Sequence, residues 1–217
     1  MTSPAAIDLI GVLAYGELVA FERNGIDASK APTLRDKVEL GQLAAAEHRH
    51  FEVLCDYLRA QGVDPLEAMA PFQAPFDAFH DNLAPRDWLE GLMKTYVADG
   101  IAADFYREVA ALLAGHEADI VLSVLSDSQD SGYVVDRLRE SIAADPTTGG
   151  RLALWGRRLM GEMISQGTVV AASRPALRAA IAARGDQVDV AGIVNRFLCD
   201  NLIVSLSFVR FKIKCLR

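Results

Sequence analysis

The sequence predicts an all-α fold: a bundle of four long helices with a long connection between the second and third, and further helices at the C-terminal end. Three observations carry this expectation. Four runs repeat their apolar residues every three or four positions, and nothing in that region alternates as a strand would. The composition is 51% hydrophobic and alanine-rich, which favours helix. Four of the 8 prolines, Pro65, Pro71, Pro75 and Pro85, fall in one stretch between the second and third runs. At 1.5 Å per residue each run would be roughly 30–45 Å long, the size of bundle helices.

The first run opens at Ser3-Pro4, a cap followed by a first-turn proline. It carries Ile7, Ile10, Leu13 and Phe21 at helical spacing and is expected to stop near Asn24-Gly25. The second starts after Pro32-Thr33, places Leu34, Val38, Leu40, Leu43, Phe51, Leu54 and Leu58 in register, and ends at Gly62. The proline-rich crossover at residues 63–86 should hold one or two short helical turns. Asp87 caps the third run, through Trp88, Leu92, Tyr96, Phe105 and Tyr106 to about Leu113, with Gly115 as the break. The fourth runs from about Glu117 through Val121, Leu125, Val134 and Leu138 and closes before Pro146. A fifth helix at about residues 150–173, packed outside the bundle, and a shorter C-terminal helical region follow. The expected organisation is a single domain over residues 1–217, with the core bundle at about 4–145 and the extra helices at about 147–217.

Charge and cysteine usage narrow the functions. A net charge of -7 weighs against a surface built throughout to neutralise phosphates. Cys55, Cys199 and Cys215 are odd in number and form no CxxC pair, so neither a disulfide framework nor a cysteine zinc site is indicated, and a cytoplasmic home is expected. The apolar run at residues 7–21 is interrupted by Asp8 and Glu17 and does not read as a signal peptide; the late uncharged run at 201–209 is too short to span a bilayer. No membrane partner is expected.

The chemistry lies in acids placed inside apolar rows. Glu17 shares its helical row with Ile10, Leu13 and Phe21, so its carboxylate faces the core. Glu47 follows Leu40 and Leu43 on its row and precedes His50, Phe51 and Leu54. Glu-x-x-His on a buried face brings a carboxylate oxygen and an imidazole nitrogen to one point, which a metal ion needs. Asp99 stands between Leu92 and Tyr106 on the third helix. Asp127, on the row of Ile120, Val124 and Val134, has Asp130 three residues after it. One acid from each of helices one and three, with an i, i+3 pair from each of helices two and four, is the ligand order of a dinuclear carboxylate bundle.

These residues resemble the ferritin-like superfamily, and within it the branch related to the bacterial hydroxylase of an isopentenylated tRNA adenosine. The resemblance rests on Glu17, on Glu47-His48-Arg49-His50 thirty residues later, and on the string YVADGIAADFY at 96–106. The segment RLALWGRR at 151–158 is similar to actinobacterial ferritin-like proteins, and the likeness covers roughly residues 5–170. It implies two iron ions: Glu17 and His50 on one, Glu47 and Asp127 bridging, Asp99 and Asp130 on the other. The chain departs from the family in having aspartate where histidine is usual at 130 and glutamate at 99 and 127. Aspartate reaches about 1.5 Å less far, and five carboxylates with one imidazole also suit manganese or another hard divalent ion.

Three functions follow from this pattern. The first is an O2-dependent hydroxylase with an external electron donor and, by resemblance, tRNA as a partner, as a monomer or homo-oligomer. The second is a degenerate bundle acting as a structural or interaction protein. The third is iron storage, ranked last because the fifth helix is longer than the short one of ferritins. Tyr96, Asp104 and Tyr106 are candidates to orient the ligands. His48, His80 and His116 are expected at the surface or in loops, and Glu162 is expected to pair with Arg157 or Arg158. The ending at 208–214, where Phe, Val and Ile alternate with Arg and Lys, reads as an atypical terminus.

Overall fold

The computed structural model describes residues 3–113, 115–127, 132–176 and 179. These form an all-α bundle, with no strand among the described residues. The helices are α1 (Pro4–Ser29), α2 (Leu34–Ala60), α3 (Pro65–Met69), α4 (Gln73–Asn82), α5 (Trp88–Leu112), α6 (His116–Asp127), α7 (Gly132–Ala144) and α8 (Pro146–Ser173), with a single 3-10 turn at Ala70–Phe72 between α3 and α4.

The caps act where the sequence places them. Ser3 Oγ accepts from the amide of Ala6 at 3.1 Å, Thr33 Oγ1 from Asp36 at 3.1 Å, and Asp87 Oδ1 from Glu90 at 2.9 Å. Each satisfies one of the amides that a helix start leaves without a partner. Beyond the end of α2, Gly62 takes φ 73°, a left-handed turn that costs glycine nothing.

The structure corrects the expected elements in two places. Helix one does not stop at Asn24-Gly25 but runs to Ser29, because Asn24 is buried and its Oδ1 accepts from Thr95 Oγ1 at 3.2 Å, which ties this turn to α5. In the fourth run the described residues form α6 up to Asp127 and α7 from Gly132; residues 128–131 lie outside the described ones. The fifth helix, α8, does not ride outside. Its Leu152, Trp155, Leu159 and Met160 are buried against α5, and Trp155 Nε1 donates to the carbonyl of Glu90 at 3.0 Å. The crossover is more helical than expected, with α4 alone spanning ten residues. The C-terminal helical region, Cys199, Cys215 and the segment at 208–214 lie outside the described residues.

Two apolar clusters make up the interior. One joins α1, α2, α3, α6 and the C-terminal half of α5 around Leu9, Ile10, Leu54, Leu58 and Phe72; the other joins α4, α7, α8 and the N-terminal half of α5 around Leu92, Val97, Leu152 and Leu159. The short α1–α2 loop folds these helices back on each other as an antiparallel pair. α1 is long and apolar enough to cross a membrane by length and composition. Here it packs as a core helix, with the buried Asp8 bonded by Arg174.

Gly11 sets how closely α1 approaches α3. A Cβ at this position would lie 2.5 Å from the carbonyl oxygen of Ala68, which is backbone and cannot step aside cheaply. Gly11→Ala should gain up to about 1 kcal/mol in helix propensity and lose more to overpacking, for a net loss of about 1–2 kcal/mol. Urea unfolding measures the balance, and a higher midpoint for the variant would show that the two helices have room to spare.

Candidate metal centre

Glu17, Glu47 and His50 converge between α1 and α2, as their rows require. One ligand atom from each lies within 4.8 Å of the others. His50 Nδ1 stands 3.3 Å from Glu17 Oε2 and 3.5 Å from Glu47 Oε2. Glu17 and His50 are buried, and Glu47 is nearly so, its side chain 14% exposed. Leu13, Leu40 and Leu54 of the same rows are buried too, so the helical periodicity that fills the core also carries these polar groups inward.

Two carboxylates this close cannot both stay charged without a cation. Burial, followed by the hydrogen bond it donates to Glu17, pushes the Glu47 carboxyl up to about 8, against an ordinary value near 4.5, despite the opposing pull of His50. Glu47 therefore holds a proton at neutral pH and shares it with Glu17. The Tyr106 hydroxyl of α5 donates to Glu17 Oε1, on the side away from His50. Burial first and the Glu17 charge second raise the Tyr106 phenol well above its usual range, so it is a donor at any physiological pH. Of the three candidate orienting groups, Tyr106 is bonded to a member of the cluster. Asp104 pairs with Arg107 at 2.6 Å, and Tyr96 packs half-buried against the second apolar cluster.

Asp99 lines the same cavity as Glu17 and Glu47. Its carboxyl is raised well above the ordinary range by burial and then by the charge of Glu47, which places it within electrical reach of the cluster. Asp127 is the last residue of α6. Its side chain, and Asp130 entirely, lie outside what the structure describes.

Two other expectations change. His80 is not a surface or loop residue. It sits on α4 in the wall of the cavity, its Nδ1 is buried with no protein partner, and burial, then Lys94 and Arg23, lower its pKa to about 3. Glu162 accepts hydrogen bonds from Asn82 Nδ2 at 2.9 Å and Gln166 Nε2 at 2.8 Å, where an arginine pair was expected. His48 and His116 do lie near the surface, beside the rings of Phe21 and Tyr57 respectively. Lys94, in the cavity wall, is a polar residue that the reading of the sequence passed over. Val97 and Ile101 follow it at i+3 and i+7, and that row was its signal.

The family model described as "Ferritin-like domain, actinomycetes" matches residues 3–184. The chain belongs to this family. Among solved structures, this ferritin-like chain is similar to Protein 19 with aldehyde deformylating oxidase activity from Synechococcus. The two share 21% identity and a TM-score of 0.69, over 97% of this chain and 93% of that one. That likeness establishes a shared fold. No curated protein matches the chain. The chemistry of the ferritin-like site is that of a small cation trap: two carboxylates, one imidazole and a third acid in the same chamber, a set that could hold a metal ion.

Proposed function

We propose that the chain is an O2-dependent oxidoreductase, a hydroxylase acting on an unactivated C–H bond, with a divalent metal held first by Glu17, Glu47 and His50. The observation that carries this reading is that the three ligand atoms gather within 4.8 Å, and that Glu17 and Glu47 among them line a largely apolar cavity of about 930 Å³. A merely structural ion pair needs no such chamber beside it. The aldehyde deformylating oxidase activity of the Synechococcus protein of the same fold supports the class of chemistry. Iron bound to this donor set would supply O2 activation for C–H oxidation.

The rest falls to the chain's own residues. Glu47 releases its proton as a cation arrives, and Tyr106 fixes Glu17 so that its other oxygen points towards His50. Apolar side chains exclude water from the reacting face. Hydroxylation consumes O2, two protons and two electrons for each alcohol and water formed, so an external electron donor is part of the reaction. Asp99, with Asp127 and Asp130, would complete a second metal position, of lower affinity for want of an imidazole. The resemblance drawn from the sequence offers a tRNA adenosine as substrate. The net charge of -7 and the apolar cavity favour a small apolar molecule. The cytoplasm, which supplies reductants, is the compartment this chemistry suits.

The test is metal content of the purified protein and O2 uptake after anaerobic loading with ferrous iron. About one iron per chain or more, with uptake above that of free iron, is expected. Protein that binds no iron, manganese or other divalent ion would instead be a bundle that has kept the fold and lost the site.

A further inference from the structure

The cavity has a second polar end, remote from the carboxylates. Much of its lining is apolar, including Leu13, Phe76, Ile101, Phe105, Met163 and Val170. At the far end stand Lys94 of α5 and His80 of α4, with Arg23 and Asp27 of α1, Lys30 just past its end and Asp81 of α4 around them. Lys94 is buried, 8% exposed, and its Nζ gives one hydrogen bond to the carbonyl of Leu83 at 2.9 Å, over the ring of Phe79 at 4.7 Å. An ammonium has three hydrogens to donate, so two remain for a ligand. The buried Nδ1 of His80 has no protein partner. The three cations outnumber Asp27 and Asp81, and burial raises the Asp27 carboxyl further towards its neutral form.

α1 and α5 fix the distance between the ends. They are pinned at one end by Tyr106 to Glu17 and at the other by Thr95 to Asn24. Glu17 and Asn24 are seven residues apart on one helix, so the ends are separated by ~10 Å along its axis, and somewhat more to Lys94. An extended alkyl chain of about ten carbons covers that span.

We propose that this cavity binds a single-chain amphiphile with a carboxylate head, the head held by Lys94 and His80 and the apolar chain laid towards Glu17, Glu47 and Asp99. A ligand so held presents carbons far from its head to the carboxylate cluster. Binding stands on the cavity alone; the consequence that oxidation falls near the far end of the chain rests on the oxidase reading above.

The test is titration of the full chain with decanoate, 1-decanol and decylamine by calorimetry. Decanoate should bind about tenfold or more tighter than either of the others, as a charge-assisted hydrogen bond allows. Lys94→Met should bring decanoate down to the level of 1-decanol and leave 1-decanol within about twofold, whereas Lys94→Arg should keep the preference. His80→Phe, read by the same ratio, serves if Lys94→Met does not fold. Equal binding of the three ligands, or a preference that survives both Lys94→Met and His80→Phe, would overturn the proposal. So would decanoate affinity that falls when metal is removed by a chelator and is indifferent to Lys94, since the head would then sit at the metal. Decanoate preference in a protein that binds no iron would leave this proposal standing and remove the oxidase. Iron binding and O2 uptake without the preference would do the reverse.

Discussion

Replacing His50 with alanine is expected to lower iron per chain at least tenfold in protein reconstituted with ferrous iron. The size of the effect follows from the donor set. Glu17 and Glu47 offer two hard oxygens, and His50 supplies the nitrogen that separates a site for ferrous iron from one for magnesium or calcium. Its Nδ1 lies 3.3 and 3.5 Å from the two carboxylates, so its loss leaves two acids that repel each other with a hole between them. The reciprocal variant is Asp130→His, which restores the imidazole usual in the superfamily and should raise iron stoichiometry above that of the unaltered chain. Iron per chain in the three proteins decides the matter. Equal values would show that neither residue is a ligand, and the oxidase reading would fail with them.

The second large effect is on stability. For the metal-free protein, stability should fall as pH rises from 5 to 8.5. In the folded state the Glu47 carboxyl holds its proton to about 8, and in the unfolded chain it releases it near 4.5. Between those values the folded state binds the extra proton, so the contribution to stability is fully present below about 4.5 and is lost as pH passes through 8. At about 1.4 kcal/mol per pH unit the loss is at most about 5 kcal/mol. Asp99, also raised by burial and by Glu47, acts with the same sign. Glu47→Gln should flatten the profile and make the metal-free protein more stable than the parent at pH 8.5. A divalent ion should oppose the decline, because it takes the place of the proton and binds better as the acids ionise. Urea midpoints of chelator-treated protein at pH 5 and 8.5 measure the slope. A midpoint that rises with pH would mean that Glu47 is ionised in the folded state.

Much of the centre was legible because it is carried by helical rows. Glu17, Glu47 and His50 each interrupt a run of leucines at three- and four-residue spacing, and a row that faces the core carries its polar members inward. Asp99 was legible for the same reason and reached the same chamber. What escaped depended on contacts between distant segments. The true end of α1 is set by the bond between Asn24 and Thr95, 71 residues apart, and no local signal at Gly25 reports it. His80 sits five residues after Pro75, in a segment too short and too interrupted to show a period, so its place in the cavity wall could not be anticipated. The packing of α8 was open to inference from Trp155 and Leu159 on one face, which need cover that an outer helix would not have.

α5 belongs to both interior clusters, with Leu92, Met93, Val97 and Ile101 in one and Tyr106, Val109 and Ala110 in the other. Between and beside these anchors the cavity wall is drawn from Ala98, Gly100, Ala102 and Ala103. Small residues at such positions can be exchanged for larger ones by single nucleotide changes, filling space in the chamber without removing an anchor from either core. The fold thus separates the residues that keep it folded from those that shape what it holds. Selection acting on a new substrate would find its first variants on this one helix, at little expense in stability, while the acid and histidine rows of α1 and α2 stayed as they are.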